Sequence, residues 1–563
     1  MNVTENASTS AESRPATPLQ GEQSFDGIII GAGQHGLVLG CYLARAGLRV
    51  ALVERRMQYG GGLMTEEVTI PGFVHNLHSV NHWDLVRTPW YRDLQLADRV
   101  PYVTPRYEFS QPHLDGTALV FARNLEETVA SIARFSKRDA ATFREWNRTA
   151  EAITRGVFVA ERFSEPLPRE ERAHLLGRTP AGREFLDLTR RTPYEIITEL
   201  FEDERVQVFL LFKLSLFGTV LYDAVRDESP TGSILRAFDI DTGYDMCVGG
   251  SWNLARGLME DFVRHGGTFI NQAPVERIIV EGGRATGVEL AGGRTIRARQ
   301  FVASTIDVHG TFQDLVGREQ LPESFDARVD AHHYTPWALF GVHLALREPP
   351  RYTSTDFDPN VNKAMKQNIG SETLEQLMGV HQAVQEKRMP TEIQFGAGPL
   401  TVIDPTQAPP GMHTAYAWHV VPYDPDGDPA NAEQYRDSFG RQVIEKWREY
   451  APNLDEHNIL GTHFYTPQDY VAHLPNMRGG DIFMGAFTAD QVMDRHFGYR
   501  TPLNGLYYAG SGAHPGGAIS GGAGYITARI ICEDLDIAPW WTPVDARDAI
   551  ERFSEAQPPH DQP

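Results

Sequence analysis

The residues best suited to chemistry lie in two glycine-rich segments at opposite ends of the 563-residue chain, Gly31 to Glu54 and Gly510 to Gly524. The first opens with Gly31-Ala32-Gly33-Gln34-His35-Gly36 and closes, one helix and one strand later, at Glu54-Arg55. In such a pattern Gly31 permits a tight turn, Gly33 lets the backbone approach a pyrophosphate, and Gly36 allows a helix to pack closely on a strand. The free amides of a helix starting at Gln34 and His35 would stabilise phosphate charge, and the Glu54 carboxylate would accept hydrogen bonds from a ribose. Proton transfer would fall to histidine, which titrates near neutrality but often only satisfies backbone groups. Candidates are His514 in the second glycine segment and His333 in His332-His333-Tyr334, then Asp469-Tyr470 and Arg495-His496. Residue type alone does not choose among them.

These groups act only if secondary structure holds them in place. Phe25 to Ile30 is a short β-branched run suited to a parallel strand buried on both faces. LVLGCYLARAG has helical apolar spacing with Gly47 to stop it, and Arg49 to Val53 supplies the next strand, ending at Glu54. A GxGxxG alone is weak evidence, whereas strand, turn, helix, strand and acid together predict a dinucleotide site. Thr268 to Val280, Gly287 to Leu290 and Gln300 to Ser304 read as further strands; LYYA leads into the second glycine turn, with a helix from near Ser520. Two long insertions separate these pieces. The first is helical, as in LEETVASIARFSKRDAATFREWNRTAEAI and TPYEIITELFEDERVQVFLLF, with Arg169 to Arg191 expected as a solvated helical face turning at Thr179-Pro180. The second predicts strands at Trp337 to Leu346, HTAYAWHVV and DIFMGAF.

Composition narrows the function classes. A formal charge of −22 disfavours nucleic acid and anionic lipid as partners. The three cysteines are far apart, with no CxxC pair for redox or zinc chemistry, and no metal site is expected. The run Val206 to Val220 is too short for a membrane span and contains Lys213, so it reads as a buried helix that could also line a lipophilic tunnel or touch a membrane surface peripherally. Residues 1–23 read as a disordered tail without the basic start and apolar core of a secretory signal, and a cytoplasmic location is expected.

Several segments then resemble one family. Arg55 to Glu67, with Gly61 and Gly62, is similar to the ER…GG…T.E pattern of the FAD-dependent amine oxidase and phytoene desaturase superfamily, and Pro71-Gly72-Phe73 to its PGF strand, although His75-Asn76 replace the usual acid. Gly505 to Gly524, including His514-Pro515-Gly516-Gly517-Ala518-Ile519-Ser520, closely resembles the C-terminal motif of phytoene desaturase-like oxidoreductases. The resemblance implies an α/β fold: a Rossmann-like FAD-binding domain of the GR2/amine oxidase type with an interleaved α+β substrate domain. The FAD domain would comprise 24–98, 237–312 and 499–535, the substrate domain 99–236 and 313–498, with a tail at 536–563. It implies FAD as cofactor, bound by Gly31, Gly33, Gln34, His35, Gly36, Glu54, Arg55, Gly61, Gly62, Val275, Gly510, Ser511, Gly517, Ala518, Ile519 and Ser520. By the same resemblance the C-terminal helix points at the flavin pyrimidine edge, where its dipole favours the anionic reduced ring, and His514 lies nearest the flavin. The expected activity is dehydrogenation of a small lipophilic or conjugated substrate, with oxygen or a quinone reoxidising the flavin. Amine oxidation, saturation or isomerisation of a polyene, and a prenyl-protein escort of related fold are the alternatives. Oligomeric state is not legible.

Overall fold

The computed structural model describes residues 23–216, 218–222 and 229–556. The tail expected at 1–23 lies outside the described residues except for Gln23, as do the last seven residues of the C-terminal segment. Two seven-stranded sheets organise the rest. In the first, Gln23–Ile30 sits centrally, pairing in parallel with Val50–Val53 on one side and Thr295–Ser304 on the other. Thr268–Ile270 extends one edge, Leu506–Tyr508 pairs in parallel with Thr295–Ser304, and the antiparallel hairpin Val275–Glu281 and Arg284–Leu290 completes it. Ile28 and Ile29 are fully buried, as a central strand covered on both faces requires.

Three helices, Gln34–Arg45, Trp252–Arg264 and Gly522–Asp534, pack about this sheet. The first is buried nearly all round, from Leu37 to Leu43, between the sheet and the other two. Its contact with Gly522–Asp534 is set by glycine: a Cβ on Gly524 would stand 2.2 Å from the His35 carbonyl oxygen. Gly47 follows the helix with φ +87°, the left-handed stop expected there.

The second sheet runs Ile459–Tyr465, Ala338–Leu346, His413–Val421, Phe395–Gly398, Lys366–Ile369, Tyr107–Pro112, Ala118–Ala122. Side chains alternate across it. Ala415, Ala417 and Val421 join Phe439 and Trp447 of the covering helix Asn431–Tyr450, while Trp418 and Val420 point to the opposite side. The helical insertion supplies Lys137–Ile153, Pro193–Leu200 and Glu204–Ser215, the last buried along nearly its whole length. Within it Lys213 donates to the Asp239 carbonyl at 3.2 Å, so the apolar run around Val206 is an internal helix. Among the described residues no helix is long and apolar enough to cross a membrane.

Two expectations need correcting. Asp481 to Phe487 is not a strand: the Asp481 carboxylate accepts the amides of Thr335, Phe483 and Gly485, and this local alternative to a ladder folds the segment into a turn. Arg169 to Arg191 forms the helices Arg169–Leu176 and Pro180–Leu188, turning at Thr179 as expected, but its face is not wholly solvated, because Arg172 is buried in a two-bonded pair with Glu161 at 2.6 and 2.9 Å.

Burial holds many histidines neutral: it pushes the pKa of His35, His332, His381, His419 and His514 down to about 4, and of His75, His78 and His82 to about 3. Below the unfolded value of about 6.5 the unfolded chain binds protons that the native chain does not. Stability present above that pH is therefore expected to fall between pH 6.5 and 4, at about 1.4 kcal/mol per pH unit for each such imidazole. Denaturant titrations across this window measure the slope; stability that is flat from pH 7 to 4 would contradict the burial.

Candidate functional site

A cavity of about 410 Å³ extends from the carboxyl ends of the first sheet's strands to the inner face of the second. Gly31, Gly33, Gln34 and His35 form its floor at one end, with Glu54 and Arg55 beside them. Gly61, Gly62 and Val275 flank this end, and Ser511, Ala518 and Ile519 bring the distant C-terminal segment to the same wall. The two glycine segments thus share one site.

Hydrogen bonds explain how. The Gly31 turn and the Gly60 loop are joined by the Gly60 amide donating to the Ala32 carbonyl at 2.8 Å. The Glu54 carboxylate accepts the amides of Ala32 at 2.9 Å and Arg56 at 3.0 Å, so it braces both loops besides offering acceptors to the cavity. Gln34 reaches across to the second segment, accepting the Gly521 amide at 2.9 Å and donating to the Ala518 carbonyl. No described side chain caps the helix Gln34–Arg45, whose first turn therefore presents free amides to an anion. A Cβ on Gly33 would meet nothing closer than 3.9 Å, and both ring nitrogens of His35 are buried without a partner.

Four of the expected contact residues stand behind the wall. A Cβ on Gly36 would be 2.1 Å from the Gly31 oxygen, on Gly510 2.3 Å from the Ile306 oxygen, and on Gly517 2.4 Å from Phe483 backbone. Ser520 is buried, its carbonyl accepting the Trp90 indole at 2.7 Å. These positions shape the turns.

Neither candidate base lines the cavity. His514 is fully buried, its Nε2 held 2.6 Å from the Glu161 carbonyl, and His333 is exposed, bonded to the Thr488 hydroxyl at 3.0 Å. Asp469 is engaged by Arg436 at 2.7 Å. Besides His35 in the floor, His78 lines the chamber beside Gly62, its Nε2 3.5 Å from the Tyr465 hydroxyl, itself bonded to Nδ1 of the half-buried His473. Apolar side chains, Val80, Leu216, Leu339, Trp418 and Phe483, also line it, as does a group of Trp83, Tyr244, Arg236 and Lys366 in which Arg236 stacks on Trp83 and Lys366 on Tyr244. No sequence motif marks these residues, because they converge from residues 78–83, the first insertion, the strand Tyr244–Cys247, three strands of the second sheet and the Asp481 turn.

Comparison with known proteins follows the same lines. Residues 29–94 match the family described as NAD(P)-binding Rossmann-like domain. Over 92% of this chain and 96% of its own length, a limonene dehydrogenase polypeptide of Castellaniella defragrans is 32% identical. The chain belongs to the phytoene desaturase-like oxidoreductases. A lycopene-forming phytoene desaturase of Paracoccus is 26% identical over 90% of this chain and 97% of its own. Among solved structures, putrescine oxidase bound to putrescine superposes with a TM-score of 0.56 at 15% identity, over 92% of this chain and all of that one, which is a likeness of fold. This oxidoreductase is therefore an enzyme of the FAD-dependent class, with the mixed α/β, Rossmann-containing fold of the flavin amine oxidases.

The two motif glycines should behave differently. Gly33→Val leaves packing intact and is expected to keep the unfolding midpoint while losing most dinucleotide affinity. Gly36→Val forces the helix off its strand and is expected to lower the midpoint first, at a cost of about 1–3 kcal/mol or more. Thermal unfolding and cofactor titration of both variants check this; equal effects on both readouts would contradict the assignment.

Proposed function

We propose that this oxidoreductase binds FAD along the cavity and dehydrogenates a small lipophilic molecule held in its apolar end. The observation that carries the reading is the continuity of one cavity from the glycine turns into an apolar chamber. The residues suit the cofactor: Gly33 leaves room for a pyrophosphate, and uncapped amides and Glu54 serve phosphate and ribose. The N-terminus of Gly522–Asp534 stands behind Ala518 and Ile519, where its dipole favours negative charge. When bound, FAD supplies a hydride acceptor. The chain's own part is to dehydrate and orient the substrate with Trp337, Leu339, Trp418 and Phe483. The names of the limonene dehydrogenase and phytoene desaturase relatives support an alkene-like substrate, and oxygen or a quinone as reoxidant completes the reading. Three free, buried cysteines suit a cytoplasmic location.

Purified protein is expected to be yellow and to release FAD on denaturation; release of FMN, or no flavin, would refute the cofactor. Under anaerobic conditions lipophilic alkenes and carotenoid precursors should bleach the flavin. Bleaching by amines alone would instead favour the amine oxidase activity of the structural neighbour.

A further inference from the structure

Lys366 begins the strand Lys366–Ile369, in parallel register with Phe109, and lines the cavity while only 5% exposed. Its ammonium lies 4.0 Å from the centre of the Tyr244 ring, another cavity residue. Among the described residues no hydrogen bond or ion pair engages it. Glu108 attracts this ammonium without a hydrogen bond to it, and its carboxylate accepts the Tyr244 amide at 2.8 Å. Arg236, stacked 3.6 Å over Trp83 and donating to the Thr231 carbonyl, adds positive charge to the same wall. Burial drives the Lys366 ammonium down to about 7, a measure of how poorly its charge is solvated.

A pure hydrocarbon filling this chamber would displace water and leave the amine with nothing to bond, at the cost of an unsatisfied buried polar group. An occupant ending in a carboxylate would supply both acceptors and countercharge, while its apolar body lay against Leu216, Trp418 and Val420. We propose that this wall of the cavity is a carboxylate subsite built on Lys366 with Arg236 beside it, so that the preferred substrate is a lipophilic carboxylic acid. This deepens the dehydrogenase reading by naming the substrate class, and it rests on that cavity being the substrate site.

The test uses the full chain with its dinucleotide bound and two matched pairs of probes: perillic acid with limonene, and oleic acid with 9-octadecene. Binding is followed by calorimetry and by fluorescence of the cavity tryptophans, independently of turnover. Both acids, or the one whose skeleton fits, should bind at least about tenfold more tightly than the matching hydrocarbon. Lys366→Met should weaken the acid by about ten- to a hundredfold and leave the hydrocarbon unchanged, whereas Lys366→Arg, which retains the charge, should keep the preference. If the Met variant does not fold, the wild-type preference and its retention in the Arg variant decide the matter. Acids binding no better than hydrocarbons, or no acid binding at all, would overturn the subsite, as would a Met variant that keeps the preference. Acid preference without any reduction of the cofactor would support the subsite and overturn the dehydrogenase reading.

Discussion

The close approach of two helix N-termini governs this structure. Gly524 stands against the His35 carbonyl with no room for a Cβ, and Gln34 bonds both Gly521 and Ala518 across the gap. Segments from opposite ends of the chain can share a cavity wall only at that separation. The central strand Gln23–Ile30 and its partner Thr295–Ser304 hold the two turns at the same sheet edge, the usual place for ligands in parallel sheets. Glu54 then serves as much to brace the Gly31 turn and the following loop as to present acceptors, because two backbone amides already occupy its oxygens.

The second sheet supplies the other half of the site by simple alternation. Residues on one face of His413–Val421 pack under a long helix, and those on the other, Trp418 and Val420, wall an apolar chamber. Polar side chains line it as well, among them His78 beside Gly62 and Lys366 beside Tyr244. Apolar walls with fixed polar groups can orient a bound molecule in one sense, which hydride transfer requires.

The nucleotide end was legible in sequence because its signals are local: glycine spacing, a flanking strand and helix, and an acid at the next strand's end. Gly61, Gly62 and Val275 needed the family resemblance to be singled out, and the structure places all three on the cavity. Gly36, Gly510, Gly517 and Ser520 were legible as motif but act one layer back, a distinction that depends on carbonyl contacts no spacing reveals. His514 and His333 fall outside the cavity for a similar reason. Closeness in sequence to a glycine turn does not fix which way a ring points, and His514 turns inward to Glu161. His78, Tyr244, Arg236 and Lys366 gave no signal, since they meet only through long-range folding. DIFMGAF misled because its apolar run was outweighed by one carboxylate capturing three amides.

On this reading both glycine segments hold a single dinucleotide extended through one cavity into the substrate chamber. A crystal structure of the protein as purified tests it most directly. FAD density is expected to run from Glu54 past Gly33 to Ala518 and Ile519, with the ring system facing His78. A nucleotide confined to the Gly31 turn, or density that never reaches Ala518, would contradict it.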